Sequence, residues 1–235
     1  MDSQNPNSAV NWWSKIKDLP IPKPGTKFVD VSEHETIRWI DEGIPQEIVK
    51  KINNVVDNNF QYPVFIRTDL LSGKHDYEDT CLIENKETLE RNLWKLNEQH
   101  FLAMMRNGNE LTAFLIREYL NIKSQFTAFY ADLPIGVEVR HFIKDGRWEK
   151  GHYYWPKESI LHPDKDDWKS GIDKMKVEAV EDLDKHRGMA KLVGKSIGGN
   201  WSIDFAKTED GCWYLIDMAT YQDSYMTEED DLYFN

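Results

Sequence analysis

At 235 residues the chain is long enough for one large domain or for two smaller lobes that share a cleft. Aromatic residues make up 12% of it, including nine tryptophans, and disordered proteins lack that content. The formal net charge of −12 argues against general binding to nucleic acids or to anionic membranes, because cationic patches drive both. We therefore expect a globular protein without general nucleic-acid or membrane binding.

The cysteines and the first residues indicate where the protein works. Cys81 and Cys212 lie far apart, so the sequence has neither a disulfide framework nor a zinc motif. The N-terminus lacks the basic and then apolar pattern of a signal peptide, and no apolar run approaches the length of a membrane span. These features predict a soluble protein of the reducing cytoplasm.

The first half of the chain predicts an N-terminal lobe, over residues 27–120, that follows a tail. Residues 1–26 are expected to form that tail and a proline-rich extended segment, because three prolines in residues 20–24 exclude a helix there. Periodic apolar residues predict the regular elements of the lobe. The strands are predicted at 27–31, 62–67 and 112–120, and the helices from 45 onward and over 85–100.

Residues 121–235 predict a C-terminal lobe built from hairpins. Asp145-Gly146 and Asp210-Gly211 each separate two alternating apolar runs, which predicts a two-residue type I′ turn at both places. Between them lies a charged helical stretch over 164–195, broken by glycines near Gly188 and Gly194. Strands and helices mix without a regular strand–helix repeat, so the predicted class is α+β with antiparallel sheets rather than a doubly wound parallel sheet.

The last predicted hairpin sets two carboxylates against each other. With Asp210-Gly211 as its loop, Asp204 pairs with Asp217, and directly opposed side chains share a face with Cβ atoms about 4.5–5.5 Å apart. Such a pair repels by roughly 3–4 kcal/mol at an effective dielectric of about 20. A compensating cation is therefore expected, and oxygen ligands favour Mg²⁺. The alternative is a solvated strand face that binds no metal.

The same register predicts which neighbours share the carboxylate face. Trp213 and Leu215 are expected beside the two aspartates, as part of a pocket wall, whereas Tyr214 and Ile216 are expected on the core face. A shift of one residue in the register would reverse these assignments.

Glu138 and Arg140 lie two residues apart on a predicted strand and face the same side. Folding that hairpin at Asp145-Gly146 sets Arg140 opposite Gly151 and Glu138 opposite Tyr153. The pair is either an ordinary surface ion pair, which stabilises little, or an arginine aimed at a phosphoryl or carboxylate group, for which its planar fork is suited. The sequence leaves both interpretations open.

Three polar positions in the first half also suggest ligand contacts. Arg67 ends a predicted strand, and Lys74 follows in a Ser-Gly-Lys loop, where backbone N–H groups and an ammonium suit a phosphate. Glu118 lies at the end of a buried strand that leads into a hinge. The alternatives are a solvated turn for the loop and a solvated strand end for Glu118. Lys74-His-Asp-Tyr-Glu also resembles, without its glycine, the Lys-x-Asp-Gly nucleophile motif of nucleotidyltransferase ligases.

Taken in order, these pieces resemble the ATP-grasp superfamily over about residues 63–220. They resemble in particular the eukaryotic ATP-grasp proteins that assist translation-initiation-factor assembly. In those proteins an Arg-Glu-aromatic hinge, a Glu-aromatic-Arg strand and a Trp-x-Ile-Asp ending follow one another. The counterparts in this sequence are Arg117-Glu-Tyr119, Glu138-Val-Arg140 and Tyr214-Leu-Ile-Asp217.

The resemblance implies a fold and a set of nucleotide contacts. The fold is α+β, with two lobes of antiparallel sheets clasping ATP. Arg67 takes the place of a phosphate-binding lysine, Lys74 reaches the α- and β-phosphates from a flexible loop, and Arg140 contacts the transferred phosphoryl group. The remaining implied contacts are an adenine hinge at Glu118, Tyr119 and Leu120, a floor under the base at Leu215, and Glu138 of the Glu-x-Arg motif.

The resemblance also implies that Asp204 and Asp217 hold Mg²⁺. Its third ligand is usually an asparagine two positions after the second acid, and this chain has Ala219 there. Asp223 or Ser224 is a candidate substitute.

Three functions follow from the resemblance and the residues. The leading one is a carboxylate–amine or carboxylate–thiol ligase, which acts on a small-molecule or peptide carboxylate through an acyl-phosphate, with Lys74 and Arg140 in the catalytic role. The second is an ATP-binding assembly factor for a protein client, with little catalysis. The third is a nucleic-acid ligase with Lys74 as its covalent nucleophile.

Overall fold

The computed structural model describes residues 5–31, 36–108, 110–227 and 233–234, which form two compact units. Unit 1 comprises Met1–Val10, Pro24–Tyr119 and Tyr130–Leu133. Unit 2 comprises Asn11–Lys23, Leu120–Phe129 and Pro134–Asn235. The proposed lobe boundary at residue 120 falls beside the change from unit 1 to unit 2 after Tyr119.

Unit 1 contains an antiparallel sheet of four strands in the order β1-β4-β2-β3. Its core combines apolar residues from the sheet with residues from two amphipathic helices, among them Ile48, Ile52 and Val56. Asn85 begins the longer helix by accepting a hydrogen bond from the backbone N of Thr88 at 3.1 Å. The elements are β1 Thr26–Asp30, α2 Trp39–Glu42, α3 Gln46–Asn59, β2 Val64–Thr68, a 3₁₀ helix Lys74–Asp79, β3 Leu82–Ile83, α4 Lys86–Asn107 and β4 Ala113–Glu118.

Unit 2 contains an antiparallel sheet of five strands in the order β10-β9-β7-β8-β11. One helix, α6, packs on one face of this sheet against β7, β8 and β9. We call this the helix face, and the opposite one, which carries Asp204, the carboxylate face. The elements are β7 Glu138–Lys144, β8 Arg147–Tyr153, α5 Trp168–Glu181, α6 Leu183–Ile197, β9 Trp201–Lys207, β10 Trp213–Thr220 and β11 Tyr233–Phe234; β5 Ser124–Ala128 and β6 Leu133–Gly136 form a separate two-stranded sheet.

Two stretches differ from the sequence-based expectation. A helix, α1, occupies Ala9–Ile16 within the stretch expected to be tail and extended chain, and its Trp12 is fully buried. The charged stretch 164–195 forms two helices that separate at Asp182, not at Gly188 or Gly194. Asp182 leaves the helical conformation (φ −96°, ψ 9°) while its side chain accepts from the indole N–H of Trp213 at 3.0 Å. A tertiary contact therefore places the break.

Helices packed on antiparallel sheets in both units confirm the predicted α+β class. Parallel pairing, which a doubly wound fold requires, is absent from the two larger sheets in the described residues. Within the same residues, the helices are too short or too polar to cross a membrane.

Candidate functional site

The turn between β9 and β10 is longer than the predicted two-residue loop. Gly211 has a positive φ of 84° but Asp210 does not, so the turn is not type I′. The backbone N of Gly211 donates to the oxygen of Thr208, and the N of Thr208 donates to the oxygen of Cys212, both at 2.9 Å. The loop therefore has three residues, 209–211, and the strands leave it one residue out of the predicted register, with Trp213 opposite Lys207.

A β-bulge then restores the predicted pairing of the two aspartates. Leu215 pairs with Phe205, the register shifts at Ile216, and Asp217 pairs with Asp204. The opposition of Asp204 and Asp217 is thus confirmed, although the loop and the bulge produce it together. The predicted placement of Leu215 on the carboxylate face is wrong, because the residues before the bulge have the opposite orientation. Leu215 is buried on the helix face with Phe205.

The neighbouring hairpin of β7 and β8 has the predicted turn but not the predicted strand pairing. Asp145 and Gly146 both have positive φ, 50° and 73°, as the predicted type I′ turn requires. A bulge at Glu149 then shifts the register, because Ile143 pairs with Trp148 whereas Phe142 pairs with Lys150.

The predicted partners on β8 are therefore wrong by one residue. Arg140 faces His152 instead of Gly151. The oxygen of Glu138 accepts from the backbone N of Tyr154 at 2.9 Å, where Tyr153 was expected opposite.

The two hairpins together place four polar side chains in one row across the carboxylate face. Asp217 of β10 pairs with Asp204 of β9, Asp204 with Arg140 of β7, and Arg140 with His152 of β8. Directly paired residues on neighbouring strands share a face. The structure thus brings together Arg140 and both candidate metal ligands.

Arg140 and Asp204 form a two-pronged ion pair. The Nε and Nη2 atoms of Arg140 donate to the two carboxylate oxygens of Asp204, each at 2.7 Å. The two side chains are 13% and 6% exposed, so water screens the pair weakly. Burial alone would lower the pKa of Arg140, but the Asp204 carboxylate raises it above its ordinary value. The cation that compensates the opposed carboxylates in this structure is therefore an arginine.

Further groups hold the other sides of Arg140. Its Nη1 donates to the backbone oxygen of Tyr225 at 3.2 Å, and its Cζ lies 4.7 Å from the centroid of the Tyr154 ring. His152 has its Nδ1 2.7 Å from the backbone oxygen of Tyr153, and burial lowers the pKa of this histidine. Sequence reasoning missed Tyr154, His152 and Tyr225, because the bulge at Glu149 and the path of the chain after β10 leave no local signal.

Asp217, Ser202 and Ser224 supply further oxygen groups near the ion pair. The Oδ1 of Asp217 accepts from the backbone N of Met218 at 2.9 Å. Ala219, in the expected place of a third ligand, pairs with Ser202, and the hydroxyls of Ser202 and Ser224 lie 2.6 Å apart. In the described residues no group of three or more His, Cys, Asp or Glu side chains is arranged so that it could hold a metal ion. A Mg²⁺ ion here would thus rely on two carboxylates, completed by hydroxyls, water or phosphate, which fits its preference for oxygen.

Glu138 begins β7 on the same face as Arg140. It is 6% exposed and pairs with Ala206 of β9. The predicted Glu-x-Arg arrangement thus exists on one face of one strand. Glu138 is a neighbour of the row rather than a member of it.

The two predicted cations of unit 1 lie on a strand and in a helical turn. Arg67 is buried on β2, and its Nε donates to the backbone oxygen of Thr68 at 3.1 Å. Lys74 begins the 3₁₀ helix after Gly73, which has φ 69°. The segment expected to be an open, flexible loop therefore forms 3₁₀ turns between Lys74 and Asp79, interrupted at Asp76 (φ −115°, ψ 51°).

The predicted hinge begins where β4 ends. Glu118 binds Gly25 twice, since its backbone N donates to the Gly25 oxygen at 2.9 Å and its Oε2 accepts from the Gly25 N at 3.2 Å. Tyr119 hydrogen-bonds Tyr77, whose pKa is raised by burial and by this bond. Leu120 is the first residue of the next segment of unit 2.

On the helix face, a chain of buried hydrogen bonds supports β7 behind Arg140. The indole N–H of Trp148 donates to Nδ1 of His141 at 2.9 Å, His141 Nε2 lies 2.7 Å from His186 Nδ1, and His186 Nε2 lies 2.9 Å from the oxygen of Ala179. Because tryptophan only donates and a carbonyl only accepts, the chain is satisfied when both histidines are neutral. Burial accordingly lowers the pKa of His186 to about 4 and that of His141 well below its ordinary value.

A second buried cluster joins β9 to the end of α5. Lys207 donates to Glu178 at 2.5 Å and to Asp182 at 2.6 Å, and Lys123 donates to Glu178 at 2.7 Å. Burial alone would raise the pKa of Asp182, but hydrogen bonds from Lys185 and Lys207 lower it far below its ordinary value. This cluster fixes the strand end from which Asp204 projects three residues earlier.

Comparisons with known proteins agree with the observed topology. No protein-family model matches the chain, and no curated protein shows a significant sequence match. Cdc123 from Schizosaccharomyces pombe is similar in structure with a TM-score of 0.57, at 14% identity over 92% of this chain and 83% of that chain. C-terminally truncated Cdc123 from the same organism gives 0.56, at 13% identity over 91% and 82%. A RimK domain ATP-grasp protein from Sphaerobacter thermophilus gives 0.45, at 13% identity over 93% and 59%.

At this level of identity the likeness to Cdc123 shows the fold. The chain has an ATP-grasp fold, as the resemblance of its motifs implied. The roles of the individual site residues stay predictions.

Proposed function

We propose that the protein binds Mg-ATP, with the carboxylate face of unit 2 as its metal and phosphoryl site. The observation that carries this proposal is the row of Asp217, Asp204 and Arg140 on three adjacent strands. Mg²⁺ takes one or two carboxylates together with phosphate oxygens, and a guanidinium fork matches a phosphoryl group. When bound, the ion would supply charge neutralisation on the phosphates.

The candidate nucleotide contacts outside this row keep their proposed roles. Arg67 and Lys74 are the candidate phosphate-binding cations of unit 1, and Glu118, Tyr119 and Leu120 are the candidate adenine hinge. Leu215 is the candidate floor under the base, and because it is buried on the helix face, a base that contacts it would have to lie on that face.

The reaction that these groups suit is carboxylate ligation. An oxygen of a small-molecule or peptide carboxylate would attack the γ-phosphorus of ATP, and ADP would leave. An amine or thiol would then attack the acyl carbon of the acyl-phosphate, and phosphate would leave. Arg140 would stabilise the charge on the transferred phosphoryl group, and Lys74 would hold the phosphates, so the protein would act through positioning and electrostatics.

A second candidate function is an ATP-binding assembly factor that acts on a protein client with little turnover. Two observations favour it. Ala219 provides no side-chain oxygen at the expected third ligand position, and the fold is that of Cdc123. The motifs also resemble those of ATP-grasp proteins that assist translation-initiation-factor assembly. The free cysteines, Cys81 buried and Cys212 exposed, support work in the reducing cytoplasm under either function.

Phosphate release from ATP, measured with a panel of amino acids and small peptides, separates the two candidates. Substrate-stimulated release that Asp217→Asn abolishes, with the fold intact by circular dichroism, supports the ligase. ATP binding without stimulated release supports the assembly factor. Asp184→Asn, at an exposed acid of α6, is the matched control and leaves release unchanged. A stable protein–AMP adduct that forms from α-labelled ATP and is lost in Lys74→Gln contradicts both and supports the nucleic-acid ligase.

A further inference from the structure

Three groups of unit 2 hold the guanidinium of Arg140. The Nε and Nη2 edge donates to both carboxylate oxygens of Asp204 at 2.7 Å. Nη1 donates to the backbone oxygen of Tyr225, and the Tyr154 ring lies 4.7 Å away. Tyr225 and Tyr154 therefore hold the guanidinium in place independently of Asp204.

The edge that Asp204 occupies is the one that would bind a phosphoryl group. Its two parallel N–H bonds match a pair of phosphate oxygens as well as they match a pair of carboxylate oxygens. In the same way, Arg140 contacts both oxygens that Asp204 would offer to a metal, and the guanidinium charge repels a divalent ion. Each partner thus blocks the proposed ligand of the other.

We propose that Arg140 and Asp204 form an exchangeable ion pair that couples metal binding to binding of the transferred phosphoryl group. The carboxylate of Asp204 stands in for the phosphoryl group on Arg140, and the guanidinium stands in for the metal on Asp204. Opening the pair for one ligand frees the binding edge for the other. This inference rests on the proposed Mg-ATP-binding function.

The coupling is reciprocal. If the phosphoryl group tightens metal binding by some factor, the metal tightens nucleotide binding by the same factor, and couplings of this kind are roughly 5- to 150-fold. Asp217 lies on the far side of Asp204 from Arg140 in the row, so an ion can approach it before the pair opens. The closed pair thereby disfavours a metal without nucleotide and a nucleotide without metal.

The test measures Mn²⁺, as a stand-in for Mg²⁺ with the same preference for oxygen ligands, by electron paramagnetic resonance of the free ion. Titrations with a non-hydrolysable ATP analogue and without it are compared, after correction for the complex of Mn²⁺ with the analogue in solution. In Arg140→Gln, affinity for Mn²⁺ alone rises, on the order of tenfold, because the competing cation is gone. Affinity for the analogue alone, measured with EDTA, falls, and the coupling factor approaches one. Opposite changes in the two affinities are not expected from a merely structural arginine.

Lys144→Gln is the matched control, because it removes the same charge from an exposed position of β7 that pairs with Glu149. Its affinity for Mn²⁺ alone stays within about twofold of the wild type, since exposed charges are screened. Arg140→Lys, which keeps the charge and loses the fork, replaces the glutamine variant if that variant does not fold. Its affinity for Mn²⁺ rises by less than that of the glutamine variant, because the charge stays but the two-pronged contact with both Asp204 oxygens is lost. Its affinity for the analogue falls, since an ammonium lacks the fork.

Unchanged or weaker binding of Mn²⁺ alone in a folded Arg140 variant overturns the exchangeable pair and leaves Mg-ATP binding by the wild type standing. A wild type that binds neither Mn²⁺ nor the analogue, alone or together, overturns this inference together with the proposed function.

Discussion

Arg140 of β7 and Asp204 of β9 face each other on neighbouring antiparallel strands and share two hydrogen bonds of 2.7 Å. Asp217 lies on the other side of Asp204 in the same row. One arginine therefore offsets the repulsion between two opposed carboxylates. The pair also contributes to folding, since both side chains are largely shielded from water.

We predict that Arg140→Gln lowers the free energy of unfolding by about 2–3 kcal/mol, because it leaves Asp204 charged beside Asp217. Adding Asp204→Asn to that variant restores part of the loss, since the uncompensated charge disappears. Urea denaturation of the two single variants and the double variant measures this coupling. Strictly additive losses would show that the ion pair contributes nothing to stability.

We predict that Gly151→Ala destabilises unit 2 by about 1–3 kcal/mol through overpacking. A Cβ at residue 151 would lie 2.5 Å from His141 Nδ1 and 3.0 Å from the oxygen of Arg140, both of which are held by neighbouring groups. Gly188→Ala is the control, because a Cβ there meets nothing within 4 Å on helix α6. It should stabilise the protein by about 0.5–1 kcal/mol through helix propensity. Equal melting temperatures of the two variants would contradict the packing argument.

The buried histidine chain predicts a pH dependence of stability. The folded-state pKa of His186 is about 4, below the unfolded-state value of about 6.5. Between these values the unfolded state binds more protons, so the free energy of unfolding falls as the pH drops from 6.5 to 4. The difference between the two pKa values corresponds to a loss on the order of 3 kcal/mol in the free energy of unfolding across this range.

The measurement is denaturant unfolding of the wild type and His186→Gln across this pH range. The glutamine amide offers one donor and one acceptor in place of the two imidazole nitrogens, and it does not titrate. The variant should lose less stability than the wild type between pH 6.5 and 4. Parallel curves would mean that His186 titrates alike in the folded and unfolded protein.

We predict that Lys207→Met destabilises the protein by roughly 2–3 kcal/mol, because it removes the ammonium that joins Glu178 and Asp182. The loss stays below that of a fully buried pair, since Lys123 and Lys185 still bind the two carboxylates. Thermal unfolding measures this loss of stability, and Lys195→Met, which changes an exposed lysine of α6, is the control. A loss no larger than that of Lys195→Met would contradict the role of the cluster.

The sequence predicted the two hairpins well but not their registers. Asp145-Gly146 forms the type I′ turn typical of this dipeptide, whereas at Asp210-Gly211 the Asp210 carboxylate accepts from the backbone N of Cys212 and a longer loop forms. The same two residues thus adopt different turns, because their side-chain partners differ. Local motifs did not distinguish these cases.

The bulges were missed because packing on both faces of the sheet places them. At Ile216 a signal did exist: the apolar residues Trp213, Leu215 and Met218 change their spacing from two to three, and all three are buried. That change turns Asp217 to the face of Asp204. No comparable spacing marks the bulge at Glu149. The pairing of Arg140 with Asp204 was missed for another reason: it comes from the pairing of β7 with β9, a strand of the other hairpin, which no local pattern predicts.

The central claim, that the protein binds Mg-ATP through Asp217 and its neighbours, is tested most directly by isothermal titration calorimetry. ATP is titrated into the wild type and into Asp217→Asn, once with Mg²⁺ and once with EDTA. The account predicts that Mg²⁺ tightens ATP binding to the wild type at least about fivefold and that Asp217→Asn loses most of this gain while still folded. Equal ATP affinity with Mg²⁺ and with EDTA, or a gain that Asp217→Asn retains in full, would contradict it.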